Sequence, residues 1–155
     1  MAKLTITVVV LIALPLVARA RLCPAKCLCN WERDPVRAMA GADIVIDGTV
    51  LDTLELDPTT SAPTGKALPP LPLYRSHVLI DRVWKGAVPD TLPVFTFEPG
   101  GSCGFGFDRG QAYLLFLHRG DDGRFVATSC SLSRPIERAD SIIRALGPVL
   151  RRRAA

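Results

Sequence analysis

The chain lacks a strong charge of either sign, an internal repeat, and any apolar run resembling a membrane segment after its first twenty residues. Its formal charge is +4 over 155 residues and falls to +2 without residues 1–20, a weak balance that implies no polyanionic partner, so nucleic acid is not an expected ligand. Histidine is scarce. His77 and His118 fall on different expected strands with no acidic or cysteine neighbour at ligand spacing, and both read as surface or partly buried strand residues. Nucleophile chemistry is missing as well, because Ser129 and Ser131 flank Cys130 without a Gly-x-Ser-x-Gly elbow. Gly104-Phe105-Gly106 is half of a phosphate-cradling pattern, but no helix follows it. Asp121 and Asp122 suit a turn better than an acid/base pair. These absences leave no catalytic residue, no metal site and no cofactor to expect. The chain reads as a protein that is not an enzyme.

Cysteine, by contrast, is concentrated. Three of the five stand in Cys23-Pro24-Ala25-Lys26-Cys27-Leu28-Cys29, and Cys103 and Cys130 stand alone. Residues separated by one position point to opposite faces of an extended segment. Cys27 and Cys29 are therefore placed to tether the segment to two parts of a domain rather than to each other, with Cys103 and Cys130 as candidate far ends. Ahead of them, residues 1–20 have the form of a secretory signal: Lys3, an apolar stretch from Leu4 to Val17, and Ala18-Arg19-Ala20 as a small-x-small cleavage pattern. An uncleaved anchor is the alternative. Cleavage removes Lys3 and Arg19 and no acid, so the formal charge falls from +4 to +2. The expected location is secreted or periplasmic, where disulfides form and persist. About 135 residues then remain, suited to one domain with a single core.

Along that domain, Asp34-Pro35 followed by Gly41 predicts a short helix with Asp34 as its N-cap. A first strand is expected over Asp43–Leu51, with Gly48 at a tight bend or a close backbone approach. Residues 57–72 carry five prolines and form a long exposed loop. The second strand runs from about Tyr74 to Trp84, and a one-residue bulge near Asp81-Arg82 restores its apolar alternation. Thr91–Phe97 is the third strand. Gln111–Leu117, apolar on both faces, is the fourth and central one. Asp121-Asp122-Gly123 turns into a fifth strand, Arg124–Cys130. A helix from Pro135 to about Leu150 is expected behind Ser133 as N-cap, with Ile136, Ala139, Ile142, Ile143 and Leu146 on its apolar stripe. Trp84, Phe105 and Phe107 suit core packing better than a binding face. Five short strands and a packed helix predict a mainly β fold, a five-stranded barrel of the oligonucleotide/oligosaccharide-binding (OB) type. Residues 21–150 form this domain, and 151–155 a basic tail in which Arg151, Arg152 and Arg153 either stay solvated or touch a membrane surface weakly.

An ordered set of segments resembles the netrin-like (NTR) family, and within it bacterial proteins similar to the N-terminal domain of tissue inhibitors of metalloproteinases (TIMP-like). The segments are Cys27-Leu28-Cys29, residues 40–50 (AGADIVIDGTV), Val83-Trp84-Lys85-Gly86, residues 103–107 (CGFGF), residues 110–116 (GQAYLLF) and Thr128-Ser129-Cys130. The resemblance implies an OB-like barrel with Cys27 bonded to Cys103 and Cys29 bonded to Cys130. Such bridges close loops of about 76 and about 101 residues, worth about 4 to 5 kcal/mol each in the chain-entropy model. Cys23 is left as a free thiol or the link of a dimer.

In the family's inhibitors the first cysteine of Cys-x-Cys opens the mature chain and chelates the protease zinc through its amine and carbonyl. Carried over, Cys27 is the chelator and Leu28 the residue entering the specificity pocket. Cleavage after Ala20 leaves residues 21–26 ahead of Cys27 and blocks that amine, so inhibition requires a second cleavage after Lys26. The expectation is therefore an exported, disulfide-stapled protein-interaction module whose partner is an extracellular or periplasmic protein. A metalloendopeptidase inhibitor, with a zinc metalloprotease as partner, is the first alternative. A thiol-based metal-binding or redox protein using Cys23, Cys27 and Cys29 is the second.

Overall fold

A computed structural model describes residues 29, 32–56, 73–99 and 103–153. The expected signal, Cys23, Cys27, Leu28 and the proline-rich loop 57–72 lie outside the described residues. Helix α1 spans Pro35–Gly41. Asp34 caps it as expected, its carboxylate accepting the Arg37 amide hydrogen at 2.9 Å with proline in the first turn. Strands β1 (Ile44–Leu56), β2 (Leu73–Lys85), β3 (Thr91–Phe97) and β4 (Ala112–Arg119) follow, then the short β5 (Phe125–Val126) and β6 (Arg134–Pro135). A 3-10 turn (Ile136–Arg138), helix α2 (Asp140–Leu146) and the short β7 (Arg151–Arg152) complete the described chain. The fold is mainly β, as expected.

The strands form a ring of five. β1 pairs with β2, β2 with β3, β3 with β5, β5 with β4, and β4 returns to β1. All these pairings are antiparallel except β3 with β5. Strand alternation sends Ile44, Ile46, Val50, Val78, Ile80, Leu115 and Leu117 into the ring. The opposite faces of the same strands send Val45, Trp84, Leu114 and Phe116 outward, where Ala139, Ile142 and Leu146 cover them. β4 is apolar on both faces because it serves both clusters, which makes it central as its sequence predicts.

The bulge at Asp81 is present. Asp47 pairs with Arg82 and Gly48 with Ile80, so Asp81 has no opposite number on β1. A side chain at Gly48 would meet Val78 Cγ1 at 2.8 Å and crowd the Leu79 carbonyl, so only glycine lets β1 and β2 approach here.

Two expectations, the C-terminal helix with its cap and the fifth strand, are corrected. The C-terminal helix begins at Asp140, not Pro135, and ends at Leu146. Its first segment is a 3-10 turn, and Ser133 is not its cap. The Ser133 hydroxyl instead accepts the Phe116 amide hydrogen at 2.9 Å, holding the chain against β4. The fifth strand keeps only Phe125 and Val126, because the chain then bridges Thr128 to Gly104 and turns at Ser129 and Cys130. The basic residues Arg151 and Arg152 are exposed and also carry a short strand. They pair with Val83 and Arg82 along the part of β2 that β3 leaves open. Arg151 reaches Asp90 at 3.1 Å and Arg153 reaches Asp81 at 2.8 Å.

Candidate functional site

Cys29 and Cys130 form a disulfide with their Cα atoms 5.0 Å apart, bridging a sequence separation of 101. Cys103 is disulfide-bonded too, and the Cys27 expected as its partner lies outside the described residues. The two bonded regions meet, since the Ser129 amide donates to the Cys103 carbonyl at 2.9 Å. Cys103 has a positive φ of 60°, rare for a residue with a side chain, and the next residue is glycine. A Cβ at Gly104 would run into the backbone of Phe97 and Glu98, so the cysteine-bearing segment lies hard against the end of β3. The Cys-x-Cys segment is thus held at its second cysteine on the end of the ring where the Thr128–Ser131 turn sits.

A second feature is the far half of β1. Residues 44–50 are almost all buried, whereas residues 51–55 are exposed. The ladder to β4 stops at Thr49, and backbone bonds from Val50 to Gln111 and from Gly110 to Val50 close it. Beyond that point β1 pairs only with β2, from Asp52 opposite His77 to Leu56 opposite Leu73. The result is an edge ribbon in which β2 still pairs with β3 on its other side, from Leu73 opposite Phe97 to His77 opposite Pro93, while the outer β1 edge is unpaired among the described residues. Leu51 and Leu54 are exposed on it, at 41% and 51%.

The ribbon is held by polar cross-strand pairs. His77 Nδ1 lies 2.9 Å from Asp52 Oδ1, and the Thr53 and Ser76 hydroxyls are 2.8 Å apart. The hydrogen bond to His77 holds the Asp52 carboxyl below its ordinary value. Adjacent sequence spacing hides this pairing, because residues 52 and 77 meet only through the strand register. His118 stays exposed on β4. No group of three or more His, Cys, Asp or Glu side chains among the described residues could hold a metal ion.

The expected aromatics are structural. Trp84 is buried, and its indole N–H donates to the Gly147 carbonyl at 3.2 Å. Phe105, Phe107 and Tyr113 pack edge to face with centroids 5.0 to 5.6 Å apart.

Asp47 is the charged group the sequence did not single out. It is almost fully buried on the outer face of β1 and ion-paired with Arg82, whose Nε donates at 2.6 Å. Arg82 also stacks over Trp84 at 5.0 Å. Burial raises the Asp47 carboxyl above its ordinary value despite Arg82, and its Oδ1 has no partner among the described residues. The only signal available to sequence reading was an acid between apolar strand positions. No protein-family model matches the chain, and no curated protein matches it either.

Proposed function

We propose that this chain is an exported protein-interaction module on an OB-like barrel of the netrin-like type, with disulfides stapling its N-terminal segment. The observation that carries the reading is the ribbon of residues 51–56 and 73–77. Its β1 edge is unpaired among the described residues and carries two exposed leucines, while β2 is backed by β3 on the other side. Rigid scaffolds commonly carry their contacts on such extensions, and an unpaired edge can accept an extended segment by main-chain hydrogen bonds. A photo-crosslinking residue at position 54 tests it in the compartment where the protein accumulates. One discrete protein adduct is expected. It should be absent when the crosslinker stands at Arg144 on the exposed side of α2, and lost on Asp substitution at Leu51. Equal labelling from both positions rejects the ribbon as the contact.

The Cys29–Cys130 bond favours a second reading, inhibition of a zinc metalloendopeptidase, because the family resemblance implies that pairing and assigns Cys27 and Leu28 to the protease contact. That reading requires a mature chain beginning at Cys27. Intact mass of the exported protein decides it: a chain starting at Arg21 leaves the amine blocked and removes inhibition of this kind.

A further inference from the structure

The turn that carries Cys130 also lines a pocket of about 360 Å³, at the small end of ligand-binding cavities. It is lined by Ser129, Ser131, Ser133, Arg134 and Arg138. No carboxylate lines it, and among the described residues neither arginine makes a salt bridge. Arg134 uses its Nε on the Leu132 carbonyl at 3.2 Å, which orients the guanidinium without engaging its two terminal nitrogens in a described bond.

The donors sit on fixed backbone. Arg134 pairs with Leu114 through β6, and Arg138 ends the 3-10 turn that the Ala139 amide closes on Ile136 at 3.0 Å. The serine wall is ordered by a hydroxyl chain, in which Ser131 and Ser133 Oγ lie 2.8 Å apart and Ser133 accepts from Phe116. The Cys29 bridge pins the turn between Ser129 and Ser131. Phe105 and Pro135 complete the lining and give it an apolar shoulder.

Two arginines lining one small space that holds no carboxylate are a donor set for a tetrahedral oxyanion, since guanidiniums give charge-assisted hydrogen bonds to its oxygens, while the Ser131 hydroxyl is already engaged by the Thr128 carbonyl. We infer that this pocket binds the phosphate or sulfate group of a small monoester, with the ester's organic part against Phe105 and Pro135. The site is distinct from the ribbon and does not depend on it.

The test is titration of the full-length mature protein with phenyl phosphate, phenyl sulfate and inorganic phosphate at constant ionic strength, followed by amide chemical shifts. Saturable shifts at Ser129, Ser131 and Arg134 are expected, with at least one phenyl ester tighter than inorganic phosphate. Arg138→Met is expected to weaken ester binding about tenfold or more. Arg134→Met should do the same while both variants keep the wild-type amide spectrum elsewhere. Arg152→Met, which removes an exposed arginine on β7, should leave the affinity unchanged. Shifts that never saturate overturn the site, as does an equal loss in Arg152→Met, which marks non-specific charge. Inorganic phosphate binding at least as tightly as both esters overturns the assignment of an organic ligand.

Discussion

The two halves of β1 share one sequence character and opposite environments. Ile44–Val50 is buried between two neighbouring strands and under helices, while the next five residues are exposed. Leu51, Leu54 and Leu56 continue the apolar content of the first half, so composition does not mark the break. What changes is the number of neighbours. β4 leaves the ladder after Thr49, and no described strand replaces it. Apolar side chains gain from burial only where another layer covers them, so the same residue type stabilises the ring and merely decorates the ribbon. The difference separates a buried core segment from an exposed edge within one strand.

The largest blow to the scaffold half should come from its staple. Replacing both Cys29 and Cys130 with serine releases a closed loop spanning 101 positions, at a cost of about 4.7 kcal/mol by loop entropy. Denaturant unfolding with and without reductant measures it, and reductant should no longer affect this bridge's contribution in the double variant.

Next, Arg82→Met strands Asp47 as a buried carboxylate with no cation and should cost about 3 to 5 kcal/mol. Asp47→Asn should be milder, because the partly exposed Arg82 head can turn to water. Equal losses in the two variants break the argument that burial of Asp47 dominates. The same pair predicts a pH dependence. The folded Asp47 carboxyl is raised above 3.8, so the folded protein holds a proton that the unfolded chain releases. Asp47's contribution to stability is therefore highest at low pH, declines as pH rises from about 3.8 to the raised value, and is flat above it. Asp47→Asn should remove that decline in chemical denaturation series. Asp52 acts in the opposite sense, since His77 lowers its pKa: its contribution is lost only as pH falls below 3.8.

Ile46→Ala, inside the ring, should cost about 2 to 4 kcal/mol through lost burial and the cavity left behind. Leu54→Ala, on the ribbon, should change stability by about 0.5 kcal/mol or less. A large loss at Leu54 would show that the ribbon is covered and sharpen the search for what covers it.

Several elements were legible from local chemistry. The cap at Asp34 needs only a carboxylate three residues before a first-turn amide, and its helix begins where Pro35 predicts. β3 spans the expected Thr91–Phe97, and the bulge at Asp81 follows from the phase slip between Ile80 and Val83. The C-terminal helix was misread for a related reason. Ile136 and Ala139 do pack on the same cluster as Ile142 and Leu146, but a 3-10 turn delivers them as readily as an α-helix. Apolar spacing reports which side is covered and does not distinguish the two kinds of turn. Ser133 was read as a cap because serine before such a pattern often is one, whereas β4 offered its hydroxyl a buried amide.

By itself the sequence determined where strands alternate, where the first helix starts, where β2 must slip, and which cysteines could act as long-range staples. These depend on residues close together in the chain. Tertiary structure alone decided that Asp47 meets Arg82, that Asp52 meets His77, that three serines and two arginines face one pocket, and that β1 is a core strand for half its length. Each of those depends on which strand lies alongside, and side-chain contacts between distant segments exist only once the ring has closed.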